Sequence, residues 1–329
     1  MARSSLLRNL LAAWSAGDDQ RFITAARAVI DDELRKGHTL LAAELERALK
    51  DPRRPGGDQT RSLRALPRGR DDRNLLALVK PRREFEDLVL ADRLGDAFAS
   101  LVVEYERRSE LANHGIRPRQ RLLFLGPAGT GKSATAHALA AALSLPVAAV
   151  SLAAVTSSLL GETARNIEAI IRFAELTPCV LLIDEFDALA TDRGQPGDHG
   201  ELRRVVATVL QTFETMTGDS LLVATSNHAD LLDSAVWRRF DEVLRFDLLG
   251  TEGIAELLAR RFRRFHVHAD LDRWSEILVG TSSADVERVA IDALRDAVVN
   301  ASPQLVTDDN LHAAVARFNE RREAVHVRP

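Results

Sequence analysis

The sequence predicts an α/β fold: a parallel sheet covered on both faces, followed by a helical subdomain. Three observations carry this. Short apolar runs alternate with helical periodicity between Arg121 and Phe246. A glycine-rich segment joins one such run directly to a helix. Beyond Gly250 the strand pattern gives way to apolar residues at helical spacing. Strands that alternate with helices imply parallel pairing, because each crossover helix covers one face of the sheet.

Taken in order, residues 1 to about 50 read as helical. Leu6, Leu7, Leu10, Leu11 and Trp14 recur at helical spacing. Asp18 and Asp19 are placed to cap a second helix carrying Phe22, Ile23, Ala26, Val29, Ile30 and Leu34, which Gly37 would stop. Leu40, Leu41, Leu45 and Leu49 suggest a third. So small a set is marginal alone; a docking module and an extension packed on the main domain both stay open. Residues 51–73 are rich in Pro, Gly and Arg and read as a linker, a solvated tether rather than a nucleic-acid contact. An α/β domain follows over 74–249 and a helical subdomain over 250–329.

Within the α/β part, Leu94, Phe98, Leu101, Val102 and Tyr105 mark a helix, and Arg121–Leu125 a buried strand. Val147–Ser151 is a second strand. Ile167, Ile170, Ile171 and Ala174 mark a helix that Pro178 breaks before a third strand, Cys179–Asp184. Leu202 to Phe213 reads as a helix, Leu221–Ser226 as a fourth strand and Val243–Phe246 as a fifth.

Composition narrows the class. Of 329 residues, 46% are hydrophobic and 28% charged, as in soluble globular proteins. The formal net charge of -4 argues against a strongly basic nucleic-acid binder, and 5% aromatics against base-stacking platforms. The one cysteine, Cys179, has no internal partner, which suits a reducing compartment. No apolar run is long enough for a membrane span, and Met1 to Arg8 lacks a signal-type core, so a cytoplasmic location is expected.

The chemistry concentrates at Gly126-Pro127-Ala128-Gly129-Thr130-Gly131-Lys132-Ser133, a G-x-x-x-x-G-K-[ST] segment set between a strand and a helix. Backbone N–H groups of such a loop turn inward around phosphate oxygens, and the helix N-terminus adds partial positive charge. Lys132 is expected at the β- and γ-phosphates and the Ser133 hydroxyl on Mg2+. Asp184 and Glu185 end the third strand, at the sheet edge where ligands of parallel sheets bind. Asp184 is expected in the Mg2+ shell, and Glu185 as the base that polarises a water. Asn227 ends the fourth strand and is placed to orient that water. Arg238 and Arg239 precede the fifth and suit developing phosphoryl charge. Four other residues weigh little: His266-x-His268 lacks a third ligand pattern, and Cys179 and His137 read as packed side chains.

Gly126 to Ser133, Leu181 to Asp187, Thr225 to Asn227 and Arg238-Arg239-Phe240-Asp241 together resemble the classical AAA ATPases of the AAA+ class, over about Phe85 to Leu294. The resemblance implies a P-loop NTPase sheet of five strands in the order 5-1-4-3-2, a four-helix C-terminal lid, and ring assembly, usually as a hexamer with ATP at subunit interfaces. By position it makes Lys132 and Ser133 Walker A, Asp184 and Glu185 Walker B, and Asn227 sensor 1. Arg238 and Arg239 become arginine fingers acting on a neighbour's ATP. Thr281 to Asp285 matches the lid segment near the nucleotide, with Ser283 where the family has Gly. No Gly-Ala-Arg sensor 2 is evident, and Arg288 is expected to face solvent. Leu159 stands where a pore loop usually carries an aromatic residue; Asp192 to Gly200 matches a second pore loop. A looser resemblance is to small stand-alone bacterial AAA ATPases that accompany subtilisin-like proteases. The expected function is ATP-driven remodelling or activation of a protein partner. The alternative is a nucleotide-gated switch for a partner protease, and a DNA-associated loader ranks lower.

Overall fold

The structure is a computed structural model, and it describes residues 19–35, 65–70, 72–156, 160–189, 211, 213, 216–228, 237–300 and 305–326. The chain divides into two compact units, Met1–Ala65 and Leu66–Pro329. In the first, helix α1 (Asp19–Arg35) buries Ala26 and Ile30, one turn apart. The helices expected around Leu6–Trp14 and Leu40–Leu49 lie outside the described residues, as do most of the helix expected at Leu202–Phe213, the loop 192–200 and Leu159.

The second unit begins with a tight turn. Gly69 N donates to Arg73 O and Leu75 N to Pro67 O, around an Arg68–Asn74 bridge, so the end of the segment read as linker is folded. Strand β1 (Leu76–Val79) follows, then helices α2 (Asp92–Glu106) and α3 (Arg108–Asn113), strand β2 (Arg121–Leu125) and helix α4 (Lys132–Ala142). Next come β3 (Val147–Val150), α5 (Leu152–Thr156), α6 (Leu160–Leu176), β4 (Val180–Ile183), β5 (Leu221–Ser226) and β6 (Glu242–Arg245).

The sheet runs β1-β3-β4-β5-β2-β6. Its parallel strands keep the expected 5-1-4-3-2 order, and the expected count of five is corrected to six. The added strand, β1, pairs antiparallel with β3 from Leu76↔Val150 to Val79↔Val147. An antiparallel edge needs no crossover helix, so β1 carries none of the alternation by which the other strands are read.

Burial on both faces explains why these strands are apolar throughout. Along β2, Leu122 and Phe124 pack with α2 and α4, whereas Leu123 and Leu125 pack with α6; β4 and β5 divide the same way. Phe98 of α2 meets Phe124 edge-on at 5.5 Å, and Phe124 lies 5.3 Å from Phe246 just after β6. That stack seats α2 against the strand that leads into the glycine loop.

The lid has its own core. Helices α7 (Thr251–Phe262), α8 (Leu271–Ile277), α9 (Ser283–Asn300) and α10 (Asp308–His326) bury Leu258, Phe262, Trp274, Val289, Ala293 and Leu311. Asp270 caps α8 by accepting from Arg273 N, and Trp274 Nε1 donates to Asp308 Oδ1 at 2.6 Å, tying α8 to α10. The subdomain is helical as expected, and it also holds a short parallel pair, β7 (His266–Val267) and β8 (Leu305–Val306). Two-residue strands leave no periodicity to read. Among the described residues no helix is long and apolar enough to cross a membrane.

Candidate nucleotide site

The glycine loop owes its path to close approach. Gly126 has φ 149°, and a Cβ there would overlap the carbonyl oxygen of Phe246, whose N–H donates to Leu125 O. Only glycine lets β2 turn away while β6 stays paired beside it. Gly129 has φ 77°, and a Cβ would lie 2.5 Å from Ser282 Oγ at the start of α9. The lid closes on the loop here, with Ala284 N donating to Gly129 O at 2.9 Å. Ser283, standing where the family has glycine, leaves this contact intact.

Helix α4 starts at Lys132, so its positive end faces the loop. Lys132 Nζ donates to Gly126 O, Pro127 O and Asn227 Oδ1 at 2.7, 2.7 and 2.8 Å. Those acceptors match its three protons. Burial pulls the Lys132 pKa down, against the pull of the Asp184 and Asp187 charges. A phosphate that takes over these protons would offer the charge that three neutral oxygens do not.

Asp184 and Glu185 follow β4, and β4, β5 and β2 are neighbours, so their carboxyl ends bring the catalytic candidates together. Ser133 Oγ donates to Asp184 at 2.8 and 2.9 Å, and Thr225 Oγ1 donates to Asp184 Oδ1 at 2.5 Å. Glu185 adopts φ 53°, a left-handed backbone that costs a non-glycine residue on the order of 1 kcal/mol. Its N–H donates to Thr225 Oγ1 at 3.1 Å, and Asn227 N donates to Asp187 Oδ1 at 3.3 Å. The oxygens of Ser133 and Asp184 are hard donors that fit Mg2+ and suit a softer metal poorly.

These groups line a cleft of about 370 Å3 between the sheet edge and the lid, with Ala128 to Ser133, Asp184, Glu185 and Asn227 on its polar side. Leu88, Val89, Leu90, Leu249 and Leu257 make an apolar wall of a kind that suits a base. Arg83 and Glu287 also line it. Glu287, in α9, pairs with Arg83 at 3.2 Å and with Arg261. Sequence reading missed Arg83, Glu287 and Thr225. Thr225 had a signal, a hydroxyl residue next to the end of a buried strand; the other two had none, because they meet only through the lid. Arg288 is exposed, as expected.

Arg238 and Arg239 do not line this cleft. They sit in a turn, Arg238 exposed and Arg239 half-buried. Phe240 packs against Phe186, and Asp241 accepts from Gln120 N and from Arg121 N and Nη2, pinning the turn to the start of β2. Burial opposes the ionised form of Asp241, but these bonds outweigh it and hold the carboxyl below its ordinary value.

The minor candidates stay outside the site. Cys179 is buried, and burial pushes its thiol up to about 11, so it packs rather than reacts. Burial, with the Arg82 charge, lowers the His137 pKa. Among the described residues no cluster of three or more His, Cys, Asp or Glu could hold a metal.

Comparison with known proteins agrees with this geometry. The family described as ATPases associated with various cellular activities (AAA) matches residues 122–248. The chain is 37% identical over 310 residues to an uncharacterized AAA family ATPase of Sinorhizobium fredii, covering 94% of this chain and 93% of that one. It is 31% identical over 245 residues to the proteasome-activating nucleotidase of Aeropyrum pernix, across 71% of this chain and 60% of that protein. It is 30% identical over 253 residues to the peroxisomal ATPase PEX6 of Komagataella pastoris, but that match spans 73% of this chain and only 21% of the longer protein. From the loop that turns at Gly126 to the lid that closes on Gly129, the chain belongs to the AAA family of ATPases.

Proposed function

We propose that this ATPase works as a homo-oligomeric ring, a hexamer by family resemblance, that remodels or activates a protein partner. The observation that carries the reading is the split between one cleft and one turn. Lys132, Ser133, Asp184, Glu185 and Asn227 line the cleft, and Arg238 and Arg239 lie outside it. An arginine pair outside its own cleft suits action on a neighbour's ATP. Lys132 and the loop N–H groups hold the phosphates. Ser133 and Asp184 would hold Mg2+, which would supply positive charge to neutralise the phosphates. Glu185 accepts a proton from the water that attacks the γ-phosphate, the bond to the β–γ bridging oxygen breaks and ADP leaves, Asn227 orients the water, and the neighbour's arginine meets the charge that develops. A second reading, a nucleotide-gated switch for a partner protease of subtilisin-like or other type, is favoured by one observation. Leu159 supplies no flat ring for gripping a threaded chain.

The test uses Glu185→Gln. It should bind ATP while hydrolysis falls about a hundredfold or more. Isolated from its host with ATP, it should carry one dominant protein partner. A protease points to the switch, other proteins held only with ATP point to the remodeller, and nuclease-sensitive DNA overturns both. In mixed rings, Arg238→Ala or Arg239→Ala protein should regain turnover from wild-type arginines. No recovery at any mixing ratio would remove the assignment in trans.

A further inference from the structure

We infer that Thr225 is a positioning residue for ATP hydrolysis, its hydroxyl setting both the carboxylate of Asp184 and the backbone of Glu185. The inference rests on the reading of the cleft proposed above and adds to it a residue that this reading leaves without a role.

The placement follows from strand register. Ile183 pairs with Ala224, so the next residues along the two parallel strands, Asp184 and Thr225, come side by side where β4 ends. The pleat sends Leu222 and Ala224 to the α6 face and Val223 to the α4 face. Thr225 therefore points to the α4 face, toward Ser133. It is 1% exposed. A buried hydroxyl has one proton and must aim it. Here it donates to Asp184 Oδ1 at 2.5 Å and accepts from Glu185 N at 3.1 Å.

That one atom couples two settings. By engaging Oδ1, it helps to fix the rotation of the Asp184 carboxylate, whose two oxygens also accept from Ser133 Oγ. By accepting from Glu185 N, it holds the residue whose φ of 53° turns its side chain out of the strand. The next two residues of the chain do not share the task. Ser226 Oγ is engaged with His228, and Asn227 Oδ1 with Lys132. Serine keeps the hydroxyl. Valine keeps the branched shape, loses the proton and orphans Glu185 N.

The experiment measures hydrolysis by the full chain with Thr225→Val, Thr225→Ser and Glu185→Gln. Each rate is divided by the nucleotide bound, counted with a fluorescent ATP analogue, so unfolded protein does not register. A Mg2+ titration and a thermal melt accompany each. Thr225→Val should lose about ten- to a hundredfold in kcat, the worth of a hydrogen bond to a charged group. Its ATP Kd should stay within about twofold, more Mg2+ should be needed for half-maximal rate, and Thr225→Ser should recover to within about threefold of wild type. If the valine variant does not fold, Thr225→Ala takes its place. Wild-type kcat per bound nucleotide in the valine variant, with Glu185→Gln silent, overturns the inference and leaves the site reading standing. A lowered melting point with kcat per bound nucleotide unchanged also overturns it, since the role is then structural. Full activity of Glu185→Gln removes the site reading itself.

Discussion

On the sheet side of the cleft, Lys132, Ser133, Asp184, Thr225 and Asn227 are hydrogen-bonded to one another across the ends of β4 and β5 and the start of α4. On the lid side, Arg83, Arg261 and Glu287 meet through ion pairs whose side chains are 21–33% exposed. The first wall is short-range and directional, and each member is set by a neighbouring strand. The second joins two bodies with separate cores, through long side chains that water reaches. A wall of the first kind preserves geometry while a nucleotide is exchanged. A wall of the second kind can open for it, because partly exposed pairs are worth little. Backbone contacts frame the lid side: Arg260 donates to Glu86 O and Leu88 O, and Ala284 N to Gly129 O.

The largest effect that tests this contrast is at Lys132. Lys132→Ala removes a charge from the sheet wall and should weaken ATP binding by about tenfold to a hundredfold. A fluorescent-nucleotide titration reads it, and an unchanged Kd would mean that backbone N–H groups alone hold the phosphates. Alkaline pH should act the same way. With its pKa pulled down, Lys132 loses its proton at lower pH than an ordinary lysine, so affinity should fall earlier on the alkaline side in wild type.

Asp241 comes next. Asp241→Asn should cost about 1–2 kcal/mol of stability at neutral pH, measured by urea unfolding. The sign with pH follows from the lowered carboxyl. The wild-type advantage is fully present above the ordinary aspartate value, 3.8, and is lost as pH falls through the lower folded value. An advantage that persists in acid would show that packing of Phe240, not the charge of Asp241, holds the turn.

The smallest effect belongs to the lid. Arg83→Ala should speed nucleotide release by no more than about fivefold, and salt should shrink the difference. Stopped-flow release against salt reads this. A loss as large as that at Lys132 would make the two walls equivalent and end the contrast.

Much of the sheet wall was legible. Gly126 to Ser133 and Asp184-Glu185 are contiguous, and each sits between a run of one period and a run of another, so local pattern suffices. The resemblance supplied the strand order. Strand β1 was not legible. Leu75 to Val79 is apolar, but only pairing with Val147–Val150 decides between a strand and a buried stretch of helix. Thr225 was visible as a residue and silent as a role, because the partner of its hydroxyl is 41 positions away. Arg83 and Glu287, 204 positions apart, were out of reach for the same reason.

By itself, then, the sequence determined the α/β class, the glycine loop between a strand and a helix, the paired carboxylates at a strand end and the helical character of the lid. These depend on neighbours a few residues apart, where periodicity and backbone freedom act. Only the tertiary structure decided that a sixth strand closes the edge at β3, that Thr225 bridges Asp184 and Glu185, that Glu287 faces Arg83 across the cleft, and that Arg238 and Arg239 lie outside it. Each depends on which distant segments the packed core brings side by side.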